Sequence, residues 1–288
     1  MKIDHRYVVT NGVNLHVVEA GDHSGPLVIL LHGFPEFWYG WRQQIPFLAE
    51  RGFWVWAPDQ RGYNLSDKPR EVAAYSLDVL AADVAGLIRA SGRSRAVLVG
   101  HDWGAMVAWW TAICYPELLS HLIVSNVPHS AVMRQTLRTS WRQRFKSWYI
   151  AFFQLPYLPE LLLRWRNWRA MVGTLQRSSQ PGTFSATELE QYRRAWARPR
   201  ALTGMINWYR AVARYRPARR PSLRVTPPTL IIWGAQDAFL EVEMATRSLD
   251  WCENGRLALF DDATHWVQHE KAAEVNEMIA QFAGVNDD

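Results

Sequence analysis

Short runs of consecutive apolar residues recur along this chain, separated by amphipathic stretches, which is the rhythm of buried strands alternating with helices. The opening differs. RYVVT and VNLHVVEA flank Asn11-Gly12, a dipeptide suited to a two-residue turn with positive φ at both positions, and together they predict an antiparallel hairpin. LVILLHGF, FWVWAPD, RAVLVGHD and HLIVSNV follow as predicted strands, with helices near 41–51, over 76–91 and over 103–115. Strands this uniformly apolar predict a parallel sheet covered on both faces. From about Pro128 the alternation stops, and the chain becomes rich in Arg and Trp and helical in pattern, with loops expected at Pro156, Pro159, Pro181-Gly182 and Pro199. After Pro227-Pro228 the strand TLIIWG, a helix near 242–249, the strand RLALF and a closing helix from about 269 to 283 complete the core. The expected architecture is an α/β core over 1–127 and 221–288, with a mostly parallel eight-stranded sheet, and a helical cap inserted over 128–220.

Composition supports a folded protein. Of 288 residues 49% are hydrophobic and 20% charged, enough apolar material for a large core and unlike disordered or collagenous chains. Cys114 and Cys252 show no metal-ligand spacing and offer at most one bridge, so neither cysteine chemistry nor a metal is expected. The N-terminus lacks the apolar core of a signal peptide and no run reaches bilayer length, so the expected location is cytoplasmic. Charge changes the picture more. The formal total is +5, yet 127–220 holds 17 Arg and 1 Lys against 3 Glu, a net of +15 that leaves −10 for the rest. Such a segment suits anionic lipid, an acidic ligand or nucleic acid. Its interspersion with Trp, Leu and Ala at helical spacing, without a nucleic-acid motif, favours a solvated face, so neither nucleic acid nor membrane contact is expected, while contact of the basic cap with anionic lipid stays open.

The strongest chemical signal is Gly100-His101-Asp102-Trp103-Gly104, between the run AVLVG and a helix. Glycines on either side permit a sharp strand-to-helix turn that lifts the middle side chain above the sheet's C-terminal edge. A serine there would mean acyl transfer. Aspartate offers a carboxylate oxygen that attacks an electrophilic carbon and forms an ester. Alone, Asp102 could be a helix N-cap. Two later residues favour chemistry: Asp237, just past the strand TLIIWG, and His265, in the loop after the last strand. Their chain order is nucleophile, acid, histidine; His265 would deprotonate water while Asp237 holds its tautomer. His101 and His269 are competing imidazoles, but neither lies in the loop after the last strand. His32-Gly33-Phe34-Pro35-Glu36 follows the strand LVILL, so the backbone N–H groups of Phe34 and Trp103 are the candidate oxyanion donors.

These residues carry a family resemblance over essentially the whole chain. HGFPEFWYGWR, DQRGYNLSDKP, GHDWGAM and DATHWVQHEKAAEVN resemble the α/β-hydrolase-fold epoxide hydrolases. That resemblance implies the α/β-hydrolase fold, hydrolysis of a small-molecule aryl or alkyl epoxide without a cofactor, and two cap tyrosines that hold the epoxide oxygen. The segments SWYIAFFQLP and NWYR are similar to the family's tyrosine motifs, which points to Tyr149 and Tyr209; phenols can polarise the oxygen and protonate the expelled alkoxide. Without the resemblance each would read as a packed cap aromatic. Two departures stand out. Gly104-Ala105 replaces a glycine pair, and Asn126 occupies the position where some relatives hold their acid, which favours Asp237 because an amide carries no charge. Arg61 is expected to pair with a carboxylate.

Trp38, Phe152 and Trp208 are the candidate substrate-pocket residues. A haloalkane dehalogenase is the competing enzyme class, sharing the Asp nucleophile and a following Trp, but halide departure requires no acid such as the tyrosines. A fluoroacetate-type dehalogenase would need a cation where Trp103 stands, a serine esterase would need an elbow serine, and a non-catalytic binder of lipophilic ligands need not keep a whole triad. Monomer and homodimer remain equally open.

Overall fold

The computed structural model of the chain describes residues 3–218, 220 and 222–284. Residue 221, at which the core is expected to resume, lies outside the described residues. The hairpin forms as predicted. Strands β1 (Ile3–Thr10) and β2 (Val13–Ala20) pair antiparallel, with Asn11 at φ 47° and Gly12 at φ 74°, the left-handed values a tight hairpin turn requires. There follow β3 (Leu27–Leu31), α1 (Gln44–Glu50), β4 (Trp54–Pro58), α2 (Leu77–Ala90), β5 (Ala96–His101), α3 (Trp103–Cys114) and β6 (Leu119–Ser125). Helices α4 (Ser130–Thr139), α5 (Trp141–Lys146), α6 (Trp148–Phe152), α7 (Leu158–Ser178), α8 (Ala186–Trp196) and α9 (Ala201–Arg214) come next. The chain closes with β7 (Thr229–Gly234), α10 (Glu243–Leu249), β8 (Gly255–Phe260), α11 (Val267–Glu270) and α12 (Ala272–Gly284).

The eight strands form one sheet in the order β1-β2-β4-β3-β5-β6-β7-β8. β2 meets β4 antiparallel, and every pairing from β4 to β8 is parallel. Because successive strand side chains point to opposite faces, each central strand feeds two cores. Ile29 and Leu98 join α2, α3 and the α4–α9 region in one core, while Val28, Leu30, Val97 and Val99 join α1 and α12 in the other. The uniformly apolar strands are thus explained by burial on both sides.

The helices between β6 and β7 are tied to the sheet's C-terminal edge by polar contacts. The Trp208 indole N–H donates to the Arg61 carbonyl at 2.9 Å, the Trp196 indole N–H to the Pro35 carbonyl at 2.6 Å, and Arg42 Nε to Glu188 at 2.7 Å. Gly204 lets α9 approach closely, since a Cβ there would lie 2.5 Å from the Gly62 carbonyl oxygen. Two expectations need correction. Pro159 lies in the first turn of α7, not in a loop, because the first helical N–H groups have no intrahelical acceptor to lose. The closing helix is divided at Lys271 into α11 and α12. α7 is itself kinked, with Arg166, Asn167 and Trp168 at φ 48°, 54° and 65°.

Arg61 does find a carboxylate: its Nε and Nη2 bond Asp83 at 2.7 and 2.6 Å, with side-chain exposures of 5% and 7%. A buried pair stabilises little against two apolar residues, but losing one member strands the other charge. Asp83→Ala is therefore expected to lower the unfolding free energy by about 3–5 kcal/mol, with an Arg61→Met/Asp83→Leu double variant recovering most of the loss. Denaturant titration of the three proteins checks this; equal losses in single and double variants would contradict it.

Candidate active site

β5 ends in the predicted elbow. Asp102 has φ 50° and ψ −122°, a strained backbone held because neighbouring chain segments leave it no other course. The close approach needs glycine: a Cβ on Gly33 would sit 2.3 Å from the Asp102 Cβ, and one on Gly104 would sit 2.1 Å from the Leu31 carbonyl oxygen. β3 and α3 can therefore converge on the carboxylate only without side chains at these positions.

The structure brings Asp102, Asp237 and His265 together from three strand ends. His265 Nδ1 donates to Asp237 Oδ2 at 2.7 Å, and His265 Nε2 lies 3.4 Å from Asp102 Oδ2. The Phe34 N–H donates to Asp102 Oδ1 at 2.7 Å. Asp237 Oδ1 also accepts the N–H groups of Phe239 and Leu240 at 2.7 and 3.0 Å. Asn126, set aside from sequence as the acid, donates Nδ2 to Asp237 Oδ2 at 2.7 Å and accepts from the Gly234 N–H at 3.1 Å. The amide thus orients the Asp237 carboxylate. Burial opposes the charge on Asp237, but His265, Asn126 and the Phe239 N–H hold its carboxyl below the ordinary value. Burial likewise disfavours the His265 imidazolium, yet Asp237 and Asp102 outweigh it and raise His265 to about 10.

Tyr149 on α6 and Tyr209 on α9 also converge, with ring centroids 5.9 Å apart. Desolvation first, then the Asp102 carboxylate, raises both phenols above their ordinary value. Trp103 partly offsets that rise at Tyr209, and the two rings meet edge-on at 4.9 Å. Phe34 stands edge-on to Tyr209 at 5.3 Å.

The pocket candidates separate. Trp208 is fully buried behind Trp103, 5.7 Å between centroids. Trp38 has ring neighbours His5, Phe37 and Tyr39, and its backbone N–H donates to Asp59 Oδ1 at 3.1 Å. Phe152 is half-buried beside Trp148 and Phe153. Two walls escaped the sequence reading. Phe153 lies 4.8 Å from Tyr209 and 5.7 Å from Phe34, and Phe239 lies 5.1 Å from His265 and 6.2 Å from Tyr149. Helical spacing could have found Phe153, four residues after Tyr149 and hence on its face. Phe239 carried only its proximity to Asp237.

The competing imidazoles belong to a buried cluster around Glu36. His269 Nε2 bonds Glu36 Oε1 at 2.8 Å, His101 Nδ1 lies 3.5 Å from Glu36 Oε2, and the Tyr192 hydroxyl donates to Glu36 at 2.6 Å. His101 Nε2 reaches the His265 carbonyl at 2.8 Å. Among the described residues no group of three or more His, Cys, Asp and Glu side chains is arranged to hold a metal.

A family model described as the alpha/beta hydrolase fold matches residues 26–272. The AB hydrolase superfamily protein YfhM of Bacillus subtilis (strain 168) is 46% identical over 277 residues, 96% of each chain. Epoxide hydrolase 4 of Mus musculus is 40% identical over 94% of this chain and 77% of its own. Among solved structures, the Bacillus megaterium epoxide hydrolase in complex with an inhibitor superposes with a TM-score of 0.87 at 33% identity, covering 97% of this chain and 100% of that one.

Proposed function

The chain belongs to the epoxide hydrolases of the α/β-hydrolase fold family, and from that premise we propose that it converts an aryl or alkyl epoxide and water to a vicinal diol in two covalent steps. Tyr149 and Tyr209 hold the epoxide oxygen. Asp102 attacks a ring carbon, the carbon–oxygen bond breaks, and one phenol gives its proton to the departing oxygen, leaving a hydroxyalkyl ester and a phenolate. Ester formation removes the Asp102 charge that helped to raise His265, so the imidazolium releases the proton that restores the phenol. Neutral His265 then takes a proton from water as that water adds to the ester carbonyl. The N–H groups of Phe34 and Trp103 hold the oxyanion, and collapse expels the diol oxygen, which takes the remaining hydroxyl proton. Carboxylate, imidazolium and phenols return to their starting states.

One observation carries the reading: a strained aspartate elbow bound to both an N–H donor and a histidine, with two converging phenol rings, one of them against Phe34 and Trp103. Halide release needs indole N–H donors and no acid, but here the Trp103 ring meets a phenol, that of Tyr209, edge-on at 4.9 Å. This supports the epoxide over the haloalkane. Phe34, Phe153 and Phe239 supply aromatic walls suited to an apolar substituent.

The test is a paired turnover assay with styrene oxide and a 1-haloalkane, run for the native chain and for a Tyr149→Phe/Tyr209→Phe variant. Diol without halide is expected, falling in the variant by about 100-fold or more, the usual contribution of a positioned acid. Single turnover in heavy-oxygen water should also label the Asp102 carboxylate. Halide release that survives loss of both phenols, or label found only in the diol, would overturn the mechanism.

A further inference from the structure

Helices α5 to α7 present an unusual surface. Of the fifteen large hydrophobic side chains exposed among the described residues, nine lie between 141 and 165. Trp141, Phe145 and Trp148 follow one another at helical i, i+4, i+7 spacing across α5 and the start of α6, exposed by 75%, 74% and 62%. On α7, Leu158, Leu161, Leu162 and Trp165 are exposed at i, i+3, i+4, i+7, so the apolar side of its first half faces outward, where a globular helix would bury it. Tyr157, exposed by 86%, stands at the entry to that helix.

The same stretch is cationic. Arg138, Arg142, Arg144, Arg164, Arg166 and Arg169 are exposed, and among the described residues none is found in an ion pair. Arg166 instead lies over the Trp165 ring at 4.5 Å. The one acid of the stretch, Glu160, is occupied by Arg210 at 2.7 Å. Exposed Trp, Leu and Phe interspersed with guanidinium groups is the composition of segments lying in a bilayer interface, where aromatic rings enter the headgroup boundary and arginines reach phosphate. No described helix is long and apolar enough to cross a membrane, and an interfacial helix need not be.

We propose that the α5–α7 face docks on anionic lipid bilayers, with Trp141, Phe145 and Trp165 inserting among the headgroups. Charge complementarity selects this occupant. A symmetric contact between two copies would bring these six unpaired guanidiniums against the same six, a repulsion that anionic lipid converts to attraction. The sequence leaves anionic lipid open for this basic segment; the structure adds that its Trp and Leu side chains are exposed. Docking would also set the bilayer one helix away from the candidate site, since α6 carries Trp148 outward and Tyr149 toward Tyr209.

The experiment is co-sedimentation of the purified full chain with phosphatidylcholine vesicles, with and without phosphatidylglycerol, over a salt series. Binding is expected only with phosphatidylglycerol and is expected to fall as salt rises. Arg142→Ala should weaken it about fivefold, as one surface cation is lost. Trp141→Ser/Trp165→Ser should weaken it further while far-UV circular dichroism and epoxide turnover in free solution stay unchanged. Absence of binding to either vesicle, or binding indifferent to phosphatidylglycerol, overturns the proposal. So does a concentration-dependent dimer in analytical ultracentrifugation that Trp141→Ser/Trp165→Ser dissociates, because the face would then belong to a second copy.

Discussion

Asp102→Ala is expected to lower diol formation by about 10⁶-fold, the scale of loss when another hydrolase is stripped of its nucleophile. The carboxylate receives the Phe34 N–H on one oxygen and faces His265 from the other, so its removal deletes the attacking atom and the ester carbonyl on which the second step depends. Alanine keeps the φ of 50° that the native aspartate already holds, but without the carboxylate's hydrogen bond to offset its cost. An Asp102→Gly variant separates that cost from the lost chemistry, because glycine adopts that φ freely. Both variants should be inactive, and the glycine variant should approach the native melting temperature more closely. A folded glycine variant that retained turnover would mean direct attack by water and would refute the covalent route.

The second large effect is at the histidine. His265→Gln should form one equivalent of ester quickly and then stall, with hydrolysis slowed by about 10²–10⁴-fold, the usual contribution of a general base. Intact-protein mass spectrometry should show a gain equal to the substrate mass, mapped to the peptide that carries Asp102. In the native chain His265 is raised to about 10 by Asp237 and Asp102, so the free protein holds it as imidazolium at neutral pH. Ester hydrolysis should therefore rise with pH along a limb below about 10, since the alkylated Asp102 no longer supports the imidazolium, whereas ester formation, which takes its proton from a phenol, should not follow that titration. The same shift sets a stability trend of definite sign. A group raised from 6.5 to about 10 stabilises the fold fully below about 6.5 and loses that contribution as pH climbs to about 10. Denaturant titrations of native and His265→Gln proteins across that window measure it; a pH-independent difference between them would contradict the assignment.

The degree to which the site was legible varied with the reach of its interactions. Asp102 could be read because its glycines and the flanking strand and helix are local in sequence. Asp237 and His265 could be read because each follows an apolar strand that the alternating pattern already placed. Glu36 could not be read as the centre of a buried cluster, because His101, Tyr192 and His269 reach it from 65, 156 and 233 residues away. Phe239 was missed for the same reason, and the contact of the Trp38 ring with His5, 33 residues away, was equally beyond local pattern.

By itself, then, the order of apolar strands, amphipathic helices and one glycine-flanked elbow determined an α/β sheet with helices inserted between its strands and a carboxylate at the elbow. Those features depend on backbone propensity and on periods of two and 3.6 residues, which are properties of adjacent residues. Tertiary structure alone decided which aromatic rings face Asp102, that Asn126 orients Asp237, and that the Trp and Leu residues of α5–α7 point outward. Each of these is a choice of face or neighbour, settled by packing between segments distant in the chain, where neither periodicity nor composition distinguishes an inward ring from an outward one.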